Sequence, residues 1–126
     1  MRAWAIPLLL AVTTSAHSTE APQRCAASPK VVAACFKFRG RLSIHNGIPV
    51  RIWRLGTRRM VAVVDGDGSY EPVLPGEVED LLGPELPGAV AVYGDYEVCP
   101  LTKLKPGAMQ FVCMVRAANL TARRLP

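Results

Sequence analysis

The chain has 126 residues, half of them hydrophobic, with 15 basic and 10 acidic side chains and a formal net charge of +5. That length is one domain of ordinary size with enough apolar content for a genuine core, so disulfides would supplement the core and not replace it. The mild positive balance permits anionic partners without demanding them, and no apolar run approaches the ~20 residues of a membrane-spanning helix.

Residues 1–16 carry one basic residue (Arg2), an apolar stretch over 3–12, and the small residues Thr13, Thr14, Ser15 and Ala16. This is the layout of a cleavable signal peptide, so the protein is expected to be exported, either periplasmic or secreted. Cleavage after Ala16 would leave 14 basic and 10 acidic residues, a net charge of +4. Pro22, Gln23 and Arg24 stand before Cys25 where a lipid-anchor signal needs small residues, which argues against such an anchor. In an oxidising compartment Cys25, Cys35, Cys99 and Cys113 are read as disulfides, not as catalysts or metal ligands. A segment over 17–34 carrying Cys25 leads into one domain over 35–118, and a basic tail over 119–126 follows.

Turn residues punctuate the domain at short intervals, the rhythm of an all-β fold. The first strand is expected over 35–45, with Phe36, Phe38, Leu42 and Ile44 on one face and Lys37, Arg39, Arg41, Ser43 and His45 on the other. A two-residue turn at Asn46-Gly47 would set Leu42 opposite Arg51 and mix the faces. A three-residue loop over 45–47 instead sets Leu42 opposite Val50 and Ile44 opposite Ile48, keeping one face dry. It also leaves Arg51 and Trp53 outward, beside the basic face of the first strand. Further strands are expected over 59–64, 69–74, 89–98 and 108–116, with one or two helical turns over 77–82 in a Pro- and Gly-rich stretch. The sum is a small antiparallel β-sandwich or open barrel of six to seven strands, braced by disulfides.

Charge is sorted into blocks along the chain. Residues 21–64 hold nine basic side chains and no acidic one, residues 65–97 hold nine acidic and no basic, and residues 103–126 hold five basic and no acidic. Cross-strand pairing of the blocks would explain the sorting, each exposed pair contributing at most about 1 kcal/mol. The functional alternative is a basic ribbon of Lys37, Arg39, Arg41, Arg51, Arg58 and Arg59, with Trp53 available to stack on a sugar. Such a ribbon suits an anionic glycan or another polyanion; nucleic acid is the less favoured ligand for an exported protein.

The remaining chemistry is sparse. Cys99 and Cys113 flank a hairpin loop around Pro106 and are paired on that ground, leaving Cys25 with Cys35; Cys35 with Cys113 stays open, because alternation along the strand places Cys99 with the polar Asp95 and Glu97. No CxxC spacing supports a metal site, and no cofactor is implied. Asp65-Gly66-Asp67-Gly68 opens like a calcium loop, but Tyr70 stands where glycine is needed and Gly76 where glutamate is needed, so it reads as a turn. His17 and His45 have no evident catalytic partner, and no catalytic residues are assigned.

The strings YGDYEVCP (93–100) and KPGAMQ (105–110) leading to Cys113, with the Gly40–Arg41–Leu42 and Asn46–Gly47–Ile48–Pro49 pattern upstream, resemble small exported bacterial proteins of unknown function. Residues 40–49 and 65–70 are similar in outline to transthyretin-like and carboxypeptidase-regulatory β-sandwich domains. The latter resemblance implies a sandwich with a binding or accessory role. The expected function is therefore non-catalytic binding, through the basic face. The alternative is a protein-binding or inhibitor module using the 77–88 loop and the Asp95–Glu97 face, with a small hydrolase third.

Overall fold

The computed structural model describes residues 21–44, 50–72, 74–83 and 90–125, and three isolated positions among the first ten. The predicted signal peptide apart from those three positions, His17 and the 45–47 turn lie outside the described residues. Two short helices and five strands follow in chain order: α1 (Ala21–Ala26), β1 (Phe36–Ser43), β2 (Val50–Arg54), β3 (Met60–Val63), α2 (Gly76–Leu82), β4 (Val90–Pro100) and β5 (Gln110–Arg124). No helix among the described residues is long and apolar enough to cross a membrane.

The sheet closes on itself in the order β1-β2-β3-β5-β4, and β4 pairs with β1 to complete the ring. The molecule is thus a five-stranded closed barrel, where a sandwich or open barrel of six to seven strands was expected. Two local facts account for the difference. The described residues of the segment expected as a strand over 69–74 join no ladder: the Asp65 amide donates to the Ser69 carbonyl (2.9 Å), so the chain turns back on itself, and Pro72 has no amide to offer a ladder. The residues expected as a basic tail over 119–126 are instead, through Arg124, the second half of β5. A strand of 15 residues is long enough to serve two neighbours: Gln110 to Val112 pair in parallel with β3, and Val112 to Arg124 pair antiparallel with β4. That double pairing closes the barrel and removes the exposed edges.

Every other ladder is antiparallel. Leu42 faces Ile52, not Val50, so the β1–β2 register is two residues from the expected one. A shift of two preserves the parity of the pleat, and Leu42, Val50 and Ile52 are all buried on the expected dry face. Val61, Val63, Val92, Tyr96, Val98, Val112 and Met114 complete the interior. The helix α2 sits between β3 and β4 in sequence, lies where a short helical segment was predicted, and drives the fully buried Val78 into the core with Leu82 beside it. The barrel therefore has five strands, with the α2 helix in the connection between its third and fourth strands.

Gly40 and Gly94 face each other across β1 and β4 on the inner side. A Cβ at Gly40 would collide with the Ile52 side chain and lie 2.8 Å from Phe38, and one at Gly94 would collide with Leu120. Tyr96 bends back over Gly94 to donate its hydroxyl to the Val92 carbonyl (2.6 Å), and its burial pushes the phenol well above the ordinary tyrosine pKa. The larger neighbours have taken the space that these two glycines leave. Gly40→Ala is therefore expected to lower stability by about 1–3 kcal/mol through overpacking, read as a fall in the urea midpoint with an unchanged slope.

The disulfides are Cys25–Cys113 and Cys35–Cys99, not the 99–113 and 25–35 pairs that sequence spacing favoured. Cys99 and Cys113 are direct partners in the β4–β5 ladder, so their proximity was read correctly, yet each sulfur is bonded to the segment before β1. Cys25 arrives on α1, which packs on β5 and on the 65–69 turn; there Ser28 Oγ donates to the Gly66 carbonyl (2.6 Å) and Arg24 lies 3.6 Å from Asp65.

Candidate anion-binding surface

Outward side chains alternate with the core along each strand, and the register decides which charges meet. Strand β4 carries Asp95 and Glu97, and in the closed barrel it lies between β1 and β5, both of which carry basic side chains. Arg39 stands opposite Asp95, makes an ion pair with it (3.4 Å), and also donates to the Asn119 carbonyl (3.0 Å). Glu97 stands opposite both Lys37 and Arg116 and pairs with Arg116 at 3.3 Å. Each ion pair found among the described residues joins two of the charge blocks seen in the sequence. Internal pairing thus absorbs Arg39 and sets Lys37 beside a carboxylate.

Strands β2 and β3 have no acidic neighbour among the described residues. Trp53 stands opposite Arg41 on one side and Met60 on the other, Arg51 opposite Ser43 and Ala62, and Arg41 opposite Tyr93 on β4. The Arg41 guanidinium lies 5.6 Å from the Trp53 ring centre and Arg123 lies 5.7 Å from that of Tyr93. The result is a row of Trp53, Arg41, Tyr93 and Arg123 across four strands, with Arg51 next to it and no carboxylate in the row. Trp53 is held in place by its indole N–H, which donates to the Thr57 carbonyl (2.7 Å). The Nε atoms of Arg41, Arg51 and Arg54 are shielded from solvent without a hydrogen-bond partner among the described residues.

The expected ligand residues therefore separate into three groups. Arg41, Arg51 and Trp53 form one outward surface, Lys37 and Arg39 are drawn into the β1–β4–β5 charge ladder, and Arg58 and Arg59 lie on the β2–β3 turn. There they border a cleft of about 310 Å³, closed on its other side by the 104–110 loop. Tyr93 and Arg123 were missed. The alternation around Tyr93 signals an outward ring, but Arg123 is brought beside it only because β5 continues through the presumed tail.

Asn119 marks the irregularity in β5 that makes this alignment. It has φ 52° and falls where the β4–β5 register shifts between Tyr93 and Asp95, the signature of a bulge. Its amide donates to Asp95 Oδ2 (2.7 Å), and that hydrogen bond, followed by the contact with Arg39, holds the Asp95 carboxyl below its ordinary range. A depressed carboxyl contributes stability above its unfolded pKa and loses it as pH falls through the folded value. Asn119→Ala is expected to move the Asp95 midpoint up toward the ordinary 3.8, followed by carboxyl-carbon NMR titration. No movement would show that Arg39 alone sets it.

Three sulfurs, of Cys25, Cys99 and Cys113, lie within 4.8 Å of one another, but all belong to disulfides and offer no thiolate to a metal. The Asp65-Gly66-Asp67-Gly68 segment is a turn closed by Gly68 N–H to the Asp65 carbonyl (2.8 Å), and the Ser69 amide donates to Asp67, lowering that carboxyl's pKa. Lys30 Nζ donates to the Asp67 carbonyl, so a cation already occupies one side of this turn. His45 and residues 84–89 of the alternative binding loop lie outside the described residues.

No protein-family model matches this chain, and no curated protein or solved structure matches it either.

Proposed function

We propose that the protein is an exported, non-catalytic binding module whose ligand is an anionic glycan, held on the Trp53–Arg41–Tyr93–Arg123 row with Arg51 at its margin. The observation that carries this reading is the uneven fate of the charges. The acidic strand neutralises β1 at Arg39 and β5 at Arg116, while Arg41 and Arg51 keep no carboxylate partner among the described residues. Aromatic faces interleaved with guanidinium groups suit sugar rings bearing carboxylate or sulfate, which need a stacking surface and a nearby cation. By analogy of shape alone, five-stranded barrels of the OB type bind oligonucleotides and oligosaccharides across strands 2 and 3, which is where Arg51 and Trp53 stand on this barrel. The two disulfides fit an oxidising compartment, and the signal-like residues 1–16 make glycans a more accessible class than nucleic acid.

The test is retention of the exported protein on an immobilised acidic polysaccharide over a salt gradient, beside a neutral polysaccharide of the same backbone. Retention on the acidic resin alone, weakening steeply with salt, supports the proposal. Equal behaviour on both resins would end it.

A further inference from the structure

The cleft between the β2–β3 turn and the β4–β5 loop differs in kind from the aromatic row. Its walls carry Arg54, Arg58, Arg59 and Lys105 and no acidic side chain. Its rim is apolar: Leu104 is 53% exposed and Met109 36%, two of the five large hydrophobic residues left exposed among the described residues. Lys103 is exposed beside them.

The loop that presents these side chains is preorganised. The Ala108 amide donates to the Lys105 carbonyl (3.2 Å) across Pro106 and Gly107, and Gly107 has φ 76°. Proline second and a positive-φ glycine third is the sequence and geometry of a type II turn. At the loop's base the Leu101 amide donates to the Phe111 carbonyl (2.8 Å) and the Phe111 amide to Thr102 Oγ1 (2.9 Å). A braced hairpin tip therefore holds two apolar side chains outward, with lysines on either side of Leu104 and arginines across the cleft.

Cations alone would suit any polyanion, and apolar side chains alone would suit any greasy partner. Held together on a projecting tip, they match a surface that is negatively charged outside and hydrocarbon just beneath. We propose that this end of the barrel docks peripherally on an anionic phospholipid surface, with Arg58, Arg59 and Lys105 on the phosphates and Leu104 and Met109 entering the boundary below them. The site shares no residue with the glycan row and stands or falls separately from it.

The experiment is co-sedimentation with vesicles of phosphatidylcholine alone and of phosphatidylcholine with phosphatidylglycerol. Binding is expected on the anionic vesicles only. Leu104→Ser with Met109→Ser, which leaves every charge in place, is expected to weaken it about tenfold or more. Arg58→Glu with Arg59→Glu is expected to weaken it about a hundredfold, as four charge increments near the surface are changed. The Leu104→Ser/Met109→Ser protein should keep the near-UV circular dichroism of the unmodified protein, which certifies its fold whatever it does on the polysaccharide resin. No binding to anionic vesicles would overturn the proposal. So would vesicle binding indifferent to the loss of Leu104 and Met109, since that would be charge attraction without insertion.

Discussion

Arg41→Glu combined with Arg51→Glu is expected to abolish retention on an acidic polysaccharide at low salt, a loss of about 100-fold or more in affinity. Each substitution removes one attraction and adds one repulsion, and exposed charge contacts of this kind contribute up to about 1 kcal/mol each. Trp53 loses its covering guanidinium as well, so stacking suffers with the charge. The comparison that gives the experiment force is Lys37→Glu with Arg39→Glu. It changes net charge by the same amount, but on residues placed beside Glu97 and Asp95, and its loss should be at least tenfold smaller. Equal losses from the two double variants, with both proteins folded by near-UV circular dichroism, would mean that net charge alone governs retention and that the row is not a site.

The second large effect concerns the disulfides. Cys25–Cys113 joins residues 88 apart and Cys35–Cys99 residues 64 apart, the second nested inside the first. With one bridge intact the other closes a ring of only about 24 residues, the difference between the two separations. In the chain-entropy model, removing either bridge as an alanine pair then costs roughly 3.5 kcal/mol, and removing both costs about 8 kcal/mol. A domain of this size has only about 5–15 kcal/mol in total, so either single loss should be tolerated and the double loss should unfold much of the population at 37 °C. Urea denaturation of the three variants checks this. The two single losses should also differ locally. Only Cys25–Cys113 ties α1 to β5, so its removal should speed amide exchange in α1 while the barrel amides stay protected. A double variant as stable as either single one would refute the nested-loop account.

How much of this was legible follows from which interactions are local. The faces of β1 and β2 could be read because pleat parity is a property of consecutive residues: Leu42 and Ile52 are buried and Arg41 and Trp53 outward, although the register itself was off by two. The α2 helix was legible from Glu77 to Leu82 between Pro- and Gly-rich flanks. The segment over 69–74 was not, because its composition allows a strand and only the closed turn at Asp65–Ser69 denies it a partner. Cys99 and Cys113 were correctly brought side by side and still mispaired. Adjacency in a ladder puts sulfurs close, but bonding also depends on what approaches from elsewhere, here the segment carrying Cys25 and Cys35.

By itself the sequence determined the β character, the outward basic face of the first two strands, and the blocks of charge, since each depends on residue type and short-range spacing. Only the tertiary structure decided what the blocks do. A block can be neutralised only by a strand that lies next to it, and strand order is a long-range property set by barrel closure. Because β4 closes against β1 and β5, its carboxylates pair with Arg39 and Arg116; because β2 and β3 lie away from it, Arg51, Arg58 and Arg59 make no ion pair among the described residues.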